Sequence, residues 1–186
     1  MIVELAEGAW RSEERLPRTA LLVVEEGLVL LTSARLGASR RVVIAVAGAD
    51  AVLLPPTGSE RIEALTEARL RVVTEEELAE LSPAEVLGLL GHELRDRQES
   101  LAAFASVRHA DRVRGKLLQL ARVHGRVGPG GIRLDLPLTH ELLGEMVGSA
   151  RETVTWALAE LQREGFVRRE GRTYRLSVAP ELLAAA

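Results

Sequence analysis

The sequence predicts an α+β fold made of an N-terminal antiparallel β-roll, a long amphipathic helix and a C-terminal winged helix-turn-helix. Three observations predict this arrangement. Short apolar runs alternate with turn residues as far as about residue 75, a capped heptad pattern follows, and two short helices joined by Gly148 precede a basic strand–turn–strand pattern. We expect the roll at 1–80, the long helix at 81–108 and the winged helix-turn-helix at 109–186.

The composition is that of an ordinary globular chain, with 27% charged and 47% hydrophobic residues among 186. The chain contains no cysteine, which excludes disulfides, thiolate nucleophiles and iron–sulfur clusters held by cysteine. The N-terminus does not resemble a signal peptide, and no run of about 18 apolar residues occurs. We therefore expect a cytoplasmic protein without membrane association.

Charge is distributed unevenly along the chain. The net charge is −3 overall, −7 over residues 1–107 and +4 over residues 108–186. An acidic front and a basic back are expected of two modules with different partners, and the basic back suits a polyanion. Chance unevenness is the simpler explanation, so the charge serves only as support for the motifs below.

The predicted roll consists of short strands separated by turn segments. Leucine-rich and β-branched runs at 21–24, 28–32 and 41–46 predict three strands, and residues 62–73 predict two more. Turn-forming residues separate them, and a proline-containing loop lies at 54–58. Short strands at such intervals are typical of an antiparallel roll.

A helix with a clear start follows the roll. Ser82 is a capping residue, Pro83 suits the first helical position, and Glu85 lies three residues after the cap. Apolar residues then recur at steps of three and four. They form a heptad seam of Leu87, Leu90, Leu94, Leu101 and Phe104, in which Arg97 occupies the position between Leu94 and Leu101.

Two interpretations of this seam are open: the helix packs on the roll, or it pairs with the same helix of a second chain. About 25 residues would form a rod about 38 Å long, which is too long for a small roll to cover alone. We therefore predict a dimerisation helix at 81–108 and a homodimer.

A helix-turn-helix is predicted after a helix at 111–124, a glycine-rich end at 125–131 and a strand at 132–136. Its first helix spans 139–147, and Gly148 supplies the turn. The next residue, Ser149, is expected to cap the second helix, with Glu152 completing a capping box. The buried stripe of the second helix is formed by Val154, Leu158 and Leu161.

The polar N-terminal end of this second helix carries side chains of the types that can read base pairs in the major groove. Arg151 can donate two hydrogen bonds to guanine and Glu152 can accept one from cytosine, although a helix cap also explains Glu152. The candidate base-reading residues are Arg151, Glu152, Thr155 and Trp156. Beyond Gly165 a strand, a glycine turn and a strand form a basic wing. The candidate phosphate-contacting residues are Thr139, Ser149, Thr153, Arg168, Arg169, Arg172 and Thr173.

The helix-turn-helix resembles the DNA-binding signature of the Crp/Fnr family of bacterial transcription regulators. The resemblance is carried by the segment VGSARETV at 147–154 and by the leucine-containing helix that ends in Glu164 and Gly165. The order of roll, long helix and helix-turn-helix fits the same family. The resemblance implies a homodimer on palindromic double-stranded DNA, with half-sites about one helical turn apart and RNA polymerase as a further candidate partner. It places Arg151 and Glu152 at base-reading positions.

Two residues depart from the family signature. Ala150 stands where a serine is usual, which removes one phosphate-contacting hydroxyl. Trp156 stands where an arginine is usual, and a tryptophan cannot make the bidentate contact with guanine. We therefore expect a half-site that differs from the common one, with Trp156 touching a thymine methyl or a sugar edge.

The roll also departs from the family pattern. Cyclic-nucleotide-binding members carry a phosphate cassette, and the corresponding stretch at 48–56 lacks its glutamate and its phosphate-clamping arginine. A buried phosphodiester without a cationic partner is costly. We therefore expect a regulator that needs no cyclic nucleotide and no cofactor. The alternative is a regulator whose roll binds an unidentified small ligand that gates DNA binding.

Patterns of catalysis and metal binding are missing from the sequence. The four histidines, His92, His109, His124 and His140, lack metal-ligand spacing and are expected at the surface. The glycines at 125–131 do not lead from a strand into a helix, so they are not a phosphate-binding loop. We therefore do not expect an enzyme or a metal site. A protein-interaction module with vestigial DNA binding is a third alternative, and activator or repressor stays open.

Overall fold

The computed structural model describes residues 1–16, 19–34, 41–171 and 173–179. The side chains of residues 92, 96, 99, 100 and 102–104 lie outside this description, and so does Arg172. The chain forms two compact units, Met1–Gln98 and Glu99–Ala186.

The first unit is built from two antiparallel sheets, which confirms the predicted roll. The described strands are β1 (Ile2–Leu5), β2 (Trp10–Arg11), β3 (Thr19–Glu26), β4 (Val29–Ala34), β5 (Arg41–Ala47), β6 (Val52–Leu53), β7 (Glu60–Ala64) and β8 (Ala68–Thr74). One sheet has the order β1-β8-β3-β6 and the other β2-β7-β4-β5. Neighbouring strands in both sheets pair antiparallel.

The core of this unit lies between the two sheets. Leu22 and Leu70 of one sheet belong to the same buried cluster as Leu31 and Ile62 of the other. Strand β8 shows why the core forms there, because its buried aliphatic residues alternate with the exposed Arg69 and Arg71. The period of two in the sequence therefore fixes which face of each strand is buried.

A short helix, α1 (Glu75–Ala79), lies where the sequence predicted only the end of the roll. The Thr74 hydroxyl accepts a hydrogen bond from the Glu77 N–H at 3.2 Å, and the Glu77 carboxylate accepts one from the Thr74 N–H at 2.8 Å. This helix of five residues buries none of its side chains. Hydrophobic periodicity therefore could not predict it.

The long helix α2 (Pro83–Ala105) begins at the predicted residue. The Ser82 N–H donates to the Glu85 carboxylate at 2.8 Å, and Ser82 Oγ donates to it at 2.6 Å. Both hydrogen bonds lower the pKa of Glu85, and the one from the hydroxyl has the larger effect. The predicted end at residue 108 is wrong, because Arg108 is already an extended residue in front of the next helix.

The heptad seam of α2 is largely open to solvent. The exposed fractions are 72% for Leu87, 57% for Leu94 and 69% for Leu101, while Leu90 is half-buried. The side chain of Phe104 lies outside the described part. Leucines exposed at heptad spacing are typical of a helix that pairs in an assembly. The homodimer nevertheless stays a prediction.

The second unit combines three helices with a four-stranded antiparallel sheet. Its helices are α3 (His109–His124), α4 (His140–Val147) and α5 (Arg151–Arg163); its strands are β9 (Gly125–Gly128), β10 (Gly131–Leu134), β11 (Val167–Glu170) and β12 (Thr173–Leu176). The strand order is β11-β12-β10-β9. The helices meet through buried residues that include Val113, Leu117, Leu120, Leu142, Leu143, Met146, Val154, Leu158 and Leu161.

The glycine-rich segment that was predicted only to end α3 contains a strand instead. Strand β9 pairs with β10 from Gly125 to Gly128. At the other side of the turn Gly131 has φ +119°, and a Cβ there would lie 2.0 Å from the Leu176 carbonyl oxygen. These glycines therefore allow close contact between backbones, which composition alone does not distinguish from a loop.

Candidate nucleic-acid interface

The helix-turn-helix is formed by α4, a tight turn and α5. Thr139 caps α4, since its hydroxyl accepts a hydrogen bond from the Leu142 N–H at 3.0 Å. Gly148 ends α4 in the left-handed conformation, with φ +63°. Gly144 allows close packing of the turn, because a Cβ there would lie 2.6 Å from the Ser149 carbonyl oxygen. The two glycines thus set the angle between the helices.

Ser149 does not cap α5, so the predicted capping box with Glu152 is wrong. The N-cap is Ala150, which makes no side-chain hydrogen bond. Ser149 is only 6% exposed, and its Oγ lies 2.8 Å from Nδ1 of His109 in α3. The turn at Gly148 directs this side chain inwards, so its hydroxyl bonds within the domain and is poorly placed for a phosphate.

The four candidate base-reading residues lie on the solvent-exposed side of α5. Arg151, Glu152 and Thr155 are exposed, and Trp156 is 78% exposed. Thr153 is half-buried. The buried stripe holds α5 against α3 and α4, so the N-terminal half of its outer face is free to enter a groove.

The structure adds His140, which the sequence marked only as a surface histidine. Its Nδ1 lies 2.8 Å from Thr155 Oγ1, and the Thr155 hydroxyl donates to the Arg151 carbonyl oxygen at 3.0 Å. Burial lowers the pKa of His140, and the positive charges of Arg169 and Arg151 lower it further. The sequence signal that could have indicated this role is the position of His140, directly after Thr139, the N-cap of α4.

The basic wing is the hairpin of β11 and β12, as predicted, with Gly171 at its turn. Arg168 and Arg169 are exposed, and the half-buried Thr173 donates its hydroxyl hydrogen to the Glu170 carbonyl oxygen at 2.9 Å. Arg169 Nε donates to the Gly171 carbonyl oxygen at 3.0 Å.

Glu170 organises two arginines of the wing. Its carboxylate accepts hydrogen bonds from Arg175 Nε at 2.8 Å and from Arg168 at 2.8 Å. These hydrogen bonds lower the pKa of Glu170 to about 2, and the one from Arg175 has a larger effect than the one from Arg168. Part of the charge of Arg168 is therefore neutralised, whereas Arg169 makes no ion pair among the residues that the structure describes.

A hollow of about 610 Å³ joins the starts of α4 and α5 to the wing. It is lined by Pro137, Leu138, Thr139, His140, Glu141, Arg151 and Arg169. The structure thus brings together candidates from all three parts of the predicted interface. The guanidinium groups of Arg151 and Arg169 outweigh the carboxylate of Glu141, so the lining is suited to an anion.

Within the described ranges, no three His, Asp or Glu side chains are grouped so that they could hold a metal ion. In the same ranges, no helix has both the length and the apolar character needed to cross a membrane.

Comparison with known proteins connects this geometry to a family. Residues 111–185 match the model of the Crp-like helix-turn-helix domain. A CRP-like cAMP-activated global transcriptional regulator of Mycobacterium tuberculosis is 34% identical over 102 residues, which are 55% of this chain and 46% of that relative. The match thus spans about half the length of this curated relative.

Solved structures share the fold over the whole chain. A CooA mutant from Carboxydothermus hydrogenoformans has a TM-score of 0.79 at 21% identity, covering 100% of this chain and 86% of that one. A transcriptional regulator of the CRP/FNR family from Thermus thermophilus has a TM-score of 0.70 at 22% identity, covering 100% and 97%. The relative from Mycobacterium tuberculosis and the structure from Thermus thermophilus are both named transcriptional regulators. The resemblance found in the sequence is therefore confirmed: the chain has the fold of the CRP/FNR family and carries its Crp-like helix-turn-helix domain.

Proposed function

We propose that the protein is a homodimeric, sequence-specific DNA-binding regulator of transcription that recognises a palindromic site in the cytoplasm. The observation that carries this proposal is the exposed N-terminal half of α5, flanked by the cationic hollow and the wing. A helix with a free polar end beside a basic hairpin suits the major groove and the adjacent phosphates. RNA polymerase is a further candidate partner, which an activator would contact and a repressor need not.

Base reading is assigned to the outer face of α5. Arg151 is exposed, so it can donate a bidentate pair to guanine, and Glu152 can accept from cytosine. The Thr155 hydroxyl already donates to the Arg151 carbonyl oxygen, which leaves its methyl group for an apolar contact. Trp156 offers a large exposed ring to a thymine methyl or a sugar edge.

Phosphate contacts are assigned to the residues around that face. Thr139, Thr153, Arg168, Arg169, Arg172 and Thr173 carry this proposal. Arg169 and Thr139 line the hollow. Ser149 is left out, since its buried hydroxyl bonds to His109.

Dimerisation is assigned to the seam of α2, formed by Leu87, Leu90, Leu94, Leu101 and Phe104. The exposed leucines on it would lose contact with water in a paired helix, and each buried leucine contributes about 1.5–3 kcal/mol of hydrophobic stabilisation. Two copies of the helix would present two α5 helices to successive turns of one DNA face.

Cyclic nucleotide is not part of the proposed function. The stretch at 48–56, which corresponds to the phosphate cassette, lacks the glutamate and the phosphate-clamping arginine. A bound phosphodiester would need charged partners there. The second candidate function keeps the same DNA site and adds an unidentified ligand of the roll; heat release on titration with cyclic nucleotides, one per chain, would favour it.

Selection of duplexes from a random pool, followed by sequencing, tests the proposal. The wild-type chain should enrich a palindrome, and Arg151→Ala should lose one guanine preference in each half-site, at about 1–3 kcal/mol. Arg163→Ala is the matched control, because Arg163 is exposed at the other end of α5 and should leave the motif unchanged. An identical motif for Arg151→Ala would refute the assignment.

A further inference from the structure

His140 stands at the centre of the cationic hollow, where three elements meet. Its own helix contributes Glu141, α5 contributes Arg151, and strand β11 contributes Arg169. These are the charged residues among the described lining of the hollow, and the two arginines act on the charge of the ring. The remaining lining residues, Pro137, Leu138 and Thr139, carry no charge.

The contacts of Thr155 favour one tautomer of His140. Thr155 donates its single hydroxyl hydrogen to the Arg151 carbonyl oxygen at 3.0 Å, because a carbonyl can only accept. Both contacts are satisfied at once when Nδ1–H donates the contact of 2.8 Å between His140 Nδ1 and Thr155 Oγ1. The neutral ring therefore presents Nε2 as an acceptor.

This arrangement suits DNA phosphate only after the ring gains a proton. An unprotonated Nε2 turns a lone pair towards an anion, whereas protonation makes it a charged donor. In the free protein the neutral form is favoured, since burial and the two arginines lower the pKa of His140. A phosphate seated between the arginines would supply the opposite charge and raise that pKa.

We propose that His140 is a phosphate ligand of the bound duplex that takes up a proton as DNA binds, so that DNA affinity rises as the pH falls. This inference rests on the proposed function. His140 also positions Thr155, since its Nδ1 contacts the hydroxyl that donates to the Arg151 carbonyl oxygen.

The test measures the affinity of the full chain for its selected duplex at constant ionic strength between pH 8.0 and pH 5.5. The wild type should bind about tenfold more tightly at the lower pH, because a pKa raised by one unit corresponds to a tenfold change. His140→Gln should lose this difference, and His140→Arg should bind tightly at both pH values. His109→Gln is the matched control: His109 bonds to Ser149 at 2.8 Å in the same domain and is not among the residues lining the hollow.

Two results separate the inference from the proposed function. If no duplex is enriched from the random pool, the proposed function fails. If a duplex binds with the same pH dependence in the wild type and in His140→Gln, only the inference fails. Nuclear magnetic resonance titration of the wild-type His140 ring, with and without duplex, needs no variant: a raised pKa in the complex supports the proposal and an unchanged or lowered one overturns it.

Discussion

Trp156 is the residue at which α5 departs most from the family signature. It is 78% exposed, so no packing within the domain explains a tryptophan there. A large apolar ring on the outer face of α5 is suited to contact with DNA, where it would favour thymine methyls over the hydrogen-bonding edge of guanine.

Trp156→Arg should therefore add a preference for guanine at one position of each half-site, because a guanidinium can donate to both O6 and N7. Selection and sequencing with the variant measures this. Gln162→Arg places the same charge on the exposed surface of α5 nearer its end and should leave the motif unchanged. A motif that is the same for the wild type and Trp156→Arg would mean that Trp156 lies outside the groove.

The sequence predicted which residues of the candidate site are exposed. It did not predict which hydrogen bonds their side chains make. The periodicity of α5 placed Arg151, Glu152, Thr155 and Trp156 on the outer face, because the buried stripe fixes the rotation of the helix. It could not show that Ser149 turns inwards to His109, or that His140 bonds to Thr155. These contacts join residues 40 and 15 positions apart, which no local pattern encodes.

At the scale of elements, the proposed homodimer depends on helix α2, because the seam of this helix is open to solvent. Leu94→Asp should raise the dissociation constant of the dimer by at least about a hundredfold, because an unpaired carboxylate buried in the seam costs several kcal/mol. Analytical ultracentrifugation measures the dimer, and DNA affinity should fall with it. Arg95→Asp changes an exposed neighbour off the seam and should leave the dimer intact. An unaffected dimer in Leu94→Asp would place the interface elsewhere.

Substitutions in the hairpin of β9 and β10 test whether its glycines are needed for the close approach of the backbones. Gly131→Ala should lower the free energy of unfolding by about 1–3 kcal/mol or more, because its φ is +119° and a Cβ would lie 2.0 Å from the Leu176 carbonyl oxygen. Gly128→Ala is the control, since its nearest contact is a side-chain atom of Arg175 at 3.8 Å. Denaturant unfolding compares them. Equal stability of the two variants would contradict the close approach of the backbones.

Elements were predictable where a periodic pattern and a cap coincide. Helix α2 has both, and its start at Pro83 follows from the hydrogen bonds of Ser82. Helix α1 has a cap without buried residues, and strand β9 has glycines in place of a pattern. In both, the element is stabilised by contacts that composition does not reveal.

At the scale of the whole molecule, the charge asymmetry agrees with the position of the predicted DNA interface. Residues 108–186 carry a net charge of +4 and include the hollow and the wing, whereas residues 1–107 carry −7. The order of roll, long helix and helix-turn-helix was predictable, because each part has its own hydrophobic period. The effector of the roll, if the chain has one, was not predictable, since the stretch at 48–56 lacks the phosphate cassette that would indicate a cyclic nucleotide.

The central claim is that this chain reads a DNA sequence and does not only attract a polyanion. The most direct test is the ratio of Kd for a scrambled duplex to Kd for the selected duplex, measured with the same protein at about 150 mM salt. We predict a ratio of about 10³ or more. A ratio near one would contradict sequence-specific binding, because contacts with phosphates alone do not distinguish the two duplexes.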